Sequence, residues 1–280
     1  MPQGWAWDET LFRGSARYYE RGRLPYPPEL AAVIAATLGL DGHGRLLDVG
    51  CGPGTVALRL AHLFAEVVGL DPDADMLAEA ERRAAALGIG NARWVRARAE
   101  ELPAGLGAVR VATFAASFHW MDRDRVAVAV LNMLAPGGAF VQVSAAQEGL
   151  SAPDRPLPEP FPPRAAIAAL VRHYLGPVRR AGQGVLLHGT PGDEAAVLRR
   201  AGFADPEIVV VGGHAVIVRT VDDLVAAVYS TSSSAPHLFG PHLAEFDGAL
   251  RALLAETASA GRFVEQTGDT EVRVWRKPTR

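Results

Sequence analysis

The chain has 280 residues, 49% of them apolar, which is enough to bury a full core in one large domain or in a domain with an inserted cap. A formal charge of −3 leaves no basic excess to neutralise a phosphate backbone, so nucleic acid is not an expected partner and a small molecule is. Cys51 is the only cysteine, so no disulfide can form within the chain, and a reducing compartment is expected.

In chain order, the opening MPQGWAWDETLFRG lacks the basic start and apolar run of a signal peptide. No run of about 18 apolar residues follows anywhere, so a cytoplasmic protein with no membrane span is expected. SARYYERGRLPYP is too aromatic and too basic for an ordinary tail. PPELAAVIAATLGL predicts a helix with proline at the tolerated first turn and Leu30, Val33, Ile34, Thr37 and Leu38 on one stripe. From Asp41 to Ala145, short β-branched runs alternate with amphipathic stretches. Strands are predicted at Gly44 to Val49, Glu66 to Leu70, Ala92 to Ala97, Arg110 to Ala115 and Ala139 to Ala145. Helices are predicted at Thr55 to Ala65, Ala74 to Leu87 and Arg123 to Leu134, the last stopped by APGG. This alternation is that of a doubly wound α/β sheet. The crowded prolines of Ser151 to Pro163 predict a stiff, extended connector, leading into a helical lid, RAAIAALVRHYL. Beyond it come a helix over Asp193 to Ala201, strand-like PEIVVVGGHAVIV, helices over Val221 to Tyr229 and Pro241 to Ala260, and a last strand TEVRVWRKP. The expected organisation is therefore a covering segment and helix over 1–40, a Rossmann-like core over 41–146, a connector and lid over 147–190, and completion of the core over 191–280.

LLDVGCGPGT, Leu46 to Thr55, carries the chemistry. A strand feeding a glycine turn and a helix lets backbone N–H groups approach a ligand closely, since no Cβ intervenes. Several cofactors are held this way, nicotinamide dinucleotides among them. Here the third glycine, Gly54, comes one place early for that fingerprint, and Asp48 stands just ahead of the turn. A carboxylate there would repel a pyrophosphate and suit a ligand bearing a positive charge.

DVGCGPGT resembles motif I of the class I S-adenosylmethionine-dependent methyltransferases, and VVGLDPDADML continues the likeness. FAASFHWMD, LAPGGAFV and the N-terminal YERGRLPYP are similar to segments of the branch that includes ubiquinone-type and trans-aconitate-type enzymes. The resemblance is specific over Tyr19 to Val143 and only general beyond. It implies a Rossmann-like sheet of about seven strands with a C-terminal antiparallel strand and helical cap elements. The implied cofactor is S-adenosyl-L-methionine, leaving as S-adenosyl-L-homocysteine. The cofactor-binding residues it implies are the turn residues Asp48, Gly50, Cys51 and Gly52, with Asp71 on the ribose hydroxyls, Pro72 after it, and Met76 on the adenine face. To these it adds Ala99 and Glu100 at the adenine edge, Ala115, Ala116 and Ser117 along the methionine part, and Tyr19 and Arg23 folding over its carboxylate. Arg98 stands where that family often has an acid.

Methyl transfer from an activated reagent requires alignment and exclusion of water more than an obligatory catalytic side chain. Where the acceptor must lose a proton, His119, just past a strand end and titrating near neutrality, is the expected base. His173, His188, His214, His237 and His242 are scattered and lack metal-ligand spacing, so no metal is expected. The acceptor is expected between the core, the N-terminal segment and Gln147 to Gly189, with Phe161, Tyr174 and Phe239 as apolar walls, and to be a natural-product or quinone/lipid-like intermediate. A cofactor-binding protein of this fold performing a non-methylating reaction such as cyclisation is the alternative.

Overall fold

The computed structural model describes residues 8–144, 159–186, 192–213 and 215–278. The chain begins with α1 (Ala16–Gly22) and α2 (Leu30–Leu38), then runs through β1 (Arg45–Val49), α3 (Thr55–Leu60), β2 (Glu66–Asp71), α4 (Ala74–Ala86) and β3 (Ala92–Arg96). Next come β4 (Val109–Ala115), α5 (Arg123–Met133) and β5 (Leu134–Val143). Past the connector lie α6 (Arg164–Leu175), a small hairpin of β6 (Arg180–Ala181) and β7 (Gly184–Val185), α7 (Glu194–Ala201) and β8 (Glu207–Val211). The chain then passes through β9 (Val216–Thr220), α8 (Val221–Tyr229), α9 (Leu243–Thr257), β10 (Arg262–Gln266) and β11 (Thr270–Arg276).

Seven strands form one sheet in the order β3-β2-β1-β4-β5-β11-β8, with β11 antiparallel to both neighbours. The expected Rossmann-like sheet and its C-terminal antiparallel strand are therefore present. β1 and β2 read as near-continuous apolar runs because helices cover both of their faces. One face packs α5 and α7 over Phe114, Phe140 and Trp275, with the two Phe rings stacked at 4.3 Å. The other packs α2 and α3 through Leu30, Ile34, Val56 and Leu60. Chain order reverses between β1 and β4, which opens a crevice beyond the carboxyl ends of these strands. Helix α4 begins beside this crevice, capped by the Asp73 side chain, which accepts from the N–H groups of Asp75 and Met76.

A second layer has its own core. Tyr229, Phe239, Phe246, Leu250 and Phe263 bring together α6, α8, α9 and the two-stranded ribbon β9–β10, with Phe239 stacked on Phe246 at 4.0 Å. PEIVVVGGHAVIV, read as one strand-like run, divides at Gly212 and Gly213: β8 closes the sheet edge and β9 leaves it to pair with β10. The pairing partner, GRFVEQ, is too short a β-branched run to stand out in the sequence. The expected turn APGG lies inside β5, where the register with β4 shifts between Val109 and Val111. Helix α9 starts at Leu243 because Pro241 and the non-helical Gly240 confine the preceding residues to a 3₁₀ stretch. Among the described residues no helix is long and apolar enough to cross a membrane.

Candidate cofactor and acceptor site

The glycine turn is fixed to the end of the neighbouring strand: Gly50 and Cys51 both donate their N–H to the Leu70 carbonyl, at 2.8 and 3.1 Å. Gly52 has φ +52°, a conformation that favours glycine, and a Cβ placed there would meet nothing within 4 Å. Its missing side chain leaves open space facing the crevice, and its N–H donates to Asp71 Oδ2 at 2.8 Å.

Asp71, the last residue of β2, accepts from Asp73 N–H on its other oxygen at 2.9 Å. A carboxylate has about four acceptor positions. The two backbone bonds hold its plane and leave each oxygen one further position, which matches a pair of neighbouring hydroxyls. Burial pushes its pKa up to about 6, against the lowering effect of those same N–H groups.

These residues open on a cavity of about 460 Å³, a size suited to a small ligand. Tyr19, Gly50, Gly52, Asp71, Pro72, Met76, Ala99, Glu100, Ala115, Ala116 and Ser117 all line it, so most of the expected site residues meet on one wall. Ser117 donates its hydroxyl to the Val49 carbonyl at 2.6 Å, joining the loop after β4 to the glycine turn. Ala116 is exposed and held at φ +51°, with its N–H bonded to the Val143 carbonyl. Glu100 lines the cavity, but one carboxylate oxygen accepts from Asp122 N–H at 2.8 Å and the other lies 3.4 Å from Arg98. Its carboxylate thus braces the loop before α5, where a contact to the adenine edge was expected.

Four expected residues stand outside the cavity wall. Asp48 is 1% exposed, with one oxygen accepting from the Thr113 hydroxyl at 2.6 Å and the other from Ala57 N–H at 3.2 Å. It latches β1 to β4 and α3 beneath the turn. Burial raises its pKa to about 6. Cys51 is buried against Gly69, and burial with two nearby carboxylates raises its thiol pKa further. Arg23 lies with its guanidinium 4.9 Å from the Tyr19 ring centre and donates to the Ser230 carbonyl at 2.6 Å; its Nε is buried without an acceptor. His119 packs beside Trp120, at 4.8 Å between rings, and Trp120 rather than His119 lines the cavity. Burial first, then the charges of Arg179 and Arg123, lower the pKa of His119 to about 4, far below the range suited to a base at neutral pH.

The expected apolar walls also lie elsewhere. Phe239 is in the core of the second layer, Tyr174 packs edge-on to Phe246, and Phe161 is exposed. His188 and His214, with Gln147 and most of the proline-rich connector, fall outside the described residues. Within the segment expected to cover the site, no residue ahead of Tyr19 was singled out, and in the structure Asp8, Glu9, Leu11, Phe12 and Arg13 line the cavity. Asp8 accepts from Gln183 N–H at the β6–β7 turn, and Leu11 packs with Ala181, Leu186 and Trp120. The apolar TLF in the opening was the one available signal. Among the described residues, no group of three or more His, Cys, Asp or Glu side chains is placed to hold a metal.

A glycine turn at the β1–β4 switch, followed by a ribose-type acid at the end of β2, defines an α/β domain that holds a nucleoside cofactor. Residues 46–138 match the family described as "Methyltransferase domain". The chain is 35% identical over 136 residues, 47% of its length, to an uncharacterized methyltransferase of Mycobacterium tuberculosis, covering 51% of that protein. It spans about half the length of the first curated relatives it matches. By structure it is similar to the YcgJ protein of Bacillus subtilis, with TM-score 0.51, 15% identity and coverage of 89% and 98% of the two chains. It is also similar to the [4+2]-cyclase SpnF, with TM-score 0.51, 22% identity and coverage of 92% and 84%. Both of the latter are likenesses of fold. Residues 46–138 thus match a methyltransferase domain, and S-adenosylmethionine is the cofactor that the matched family and the fold imply. The residues present fit it: free acceptor positions on Asp71 and open space at Gly52.

Proposed function

We propose that the protein transfers the methyl group of S-adenosylmethionine to a small organic acceptor, of the natural-product or quinone/lipid-like kind. The observation that carries this reading is Asp71: the backbone clamps both oxygens and leaves each free to accept one more hydroxyl, at the mouth of the β1–β4 crevice. When bound, the cofactor supplies a methyl group already activated on a sulfonium. Asp71 would accept the two ribose hydroxyls, Met76 and Pro72 would cover the base, and the loop Ala115 to Ser117 would run beside the amino-acid part. Ionised Asp48 beneath the turn favours the positive charge of that ligand. Tyr19 and the strap over Leu11 and Phe12 close the cavity from above, which holds reactants together and keeps water out. With His119 outside the wall, positioning carries the reaction and no histidine base is assigned.

The test has two stages. Calorimetric titration with S-adenosylmethionine, S-adenosylhomocysteine and NAD should give binding to the first two only, and a preference for NAD would sink the reading. Methyl-labelled cofactor offered with quinone, phenol and amine panels should then place label in a small product. A cyclised product of unchanged methyl count would instead favour the non-methylating alternative, which the fold shared with a cyclase keeps in view.

A further inference from the structure

The strap that closes one side of the cavity, residues 8–14, is a run of turns bonded largely to itself. The N–H groups of Leu11, Arg13 and Ser15 donate three residues back, to the carbonyls of Asp8, Thr10 and Phe12. Asp8 Oδ1 accepts from the N–H and the hydroxyl of Thr10, at 2.8 and 2.6 Å. These local bonds let the strap move as one piece. Its far end is fixed, since Ser15 is fully buried and donates its hydroxyl to the Tyr229 carbonyl at 2.7 Å. Gly14 stands at the junction, at φ +80°, where a glycine turns the backbone freely. Toward the second layer, His237 Nδ1 bonds the Arg13 carbonyl at 3.0 Å. Toward the β6–β7 hairpin, Leu11 packs with Ala181 and Leu186, and Asp8 Oδ2 accepts from Gln183 N–H. Gly182, in the hairpin turn, has φ +60°, and a Cβ there would collide with Asp8 Oδ2 and lie 3.0 Å from Leu11 Cα. Strap and hairpin therefore close on one another because that position carries no side chain.

We propose that Asp8 and Gly182 form a latch that holds the strap on the cavity wall, and that the opening of this latch sets how fast a ligand enters and leaves. Asp8 is a positioning residue: its bond to Gln183 keeps Leu11 and Phe12 on the wall of the cavity that Asp71 also lines. Opening parts that bond, the Leu11 contacts and the bond to His237, while Gly14 takes up the backbone rotation. The hairpin has only two residues in each strand, so the strap can lift from it while the main sheet and its glycine turn stay in place. Segments that close over a bound ligand limit product release in many enzymes. The ligand concerned is the nucleoside cofactor and its demethylated product, so the inference rests on the cofactor assignment above.

Two measurements on the full chain test the latch. The first uses no ligand: Gly182→Ala should speed hydrogen exchange at the Leu11 and Arg13 amides about tenfold, although the substitution lies on the hairpin, far away in the chain. Unchanged exchange in the strap would overturn the proposal. The second follows S-adenosylhomocysteine by stopped flow. Gly182 is off the cavity wall, so Gly182→Ala should raise the association and dissociation rate constants together, about tenfold each, and leave Kd within about threefold. Asp8→Ala should also speed association, and adding it to Gly182→Ala should speed association little further, because both act through one latch. Unchanged rate constants in Gly182→Ala would reject the latch. So would faster dissociation matched by an equal rise in Kd, which would make the hairpin part of the grip on the ligand. If Gly182→Ala fails to fold, Asp8→Ala decides through association alone: a faster rate supports the latch and an unchanged one rejects it. Failure of the native protein to bind S-adenosylhomocysteine would instead remove the cofactor reading, and the exchange measurement would still judge the latch.

Discussion

The crevice of the main sheet and the helical layer above it are held in shape in opposite ways. In the crevice, backbone does most of the work: the N–H groups of Gly52 and Asp73 orient one carboxylate, and the Leu70 carbonyl pins the turn. In the layer, side chains hold other elements in place. Phe239 and Phe246 fill its core, and Arg219 grips the end of α1. A backbone-built grip is specified over a few neighbouring residues, whereas a side-chain-built clamp depends on partners far apart in the chain.

The largest effect that would test this contrast is expected at Asp71. Two hydroxyl bonds of about 1.5 kcal/mol each predict that Asp71→Ala weakens S-adenosylhomocysteine on the order of a hundredfold, read by calorimetry, with cooperative unfolding retained. Unchanged affinity would break the comparison at its root. A paired glycine experiment follows. Gly52→Ala has room for its Cβ in the free protein, so it should lose only about 1 kcal/mol of stability for the left-handed backbone while weakening the cofactor about tenfold. Gly22→Ala meets the Ala226 carbonyl and should cost about 1–3 kcal/mol in denaturant unfolding. Equal stability losses in the two variants would mean that the contact between α1 and α8 is looser than described.

The pH dependence sharpens the crevice side. The carboxyl of Asp71 is raised to about 6 in the free protein, and ribose hydroxyls donate to the ionised form. Affinity should therefore strengthen as pH rises toward about 6, by up to roughly tenfold per unit, and level off above it. Calorimetry across that range checks the sign, and a flat profile would deny that Asp71 titrates with binding. The smallest effect is expected at His119, outside the wall: His119→Ala should leave S-adenosylhomocysteine affinity within about twofold.

How much of this was legible in the sequence follows the same division. The turn Gly50 to Gly54 and the acid at the end of the second strand are local patterns, so their place in the fold could be read directly. Met76 followed because the cap at Asp73 fixes the start of α4. The latch at Asp48 was not legible because the reach of Thr113 to it crosses 65 residues of chain. His119 and Trp120 are neighbours in a 3₁₀ turn, and packing alone decides which of them faces the cavity. The strap at Asp8 docks on a hairpin 175 residues away, and the β9–β10 ribbon joins segments with no pattern in common. Nothing in either partner alone announces the other.

Ala116 has an evolutionary and practical consequence. An alanine held at φ +51° on the cavity wall sits in a conformation that costs an L-residue about 1–2 kcal/mol, and its bond to the Val143 carbonyl keeps it there. The protein gives up folding stability at this point and keeps a methyl group and a stiff loop on the cavity wall. Anyone engineering it for heat resistance would find relief by writing glycine at this position, and would obtain a sturdier chain with a slacker, less discriminating mouth.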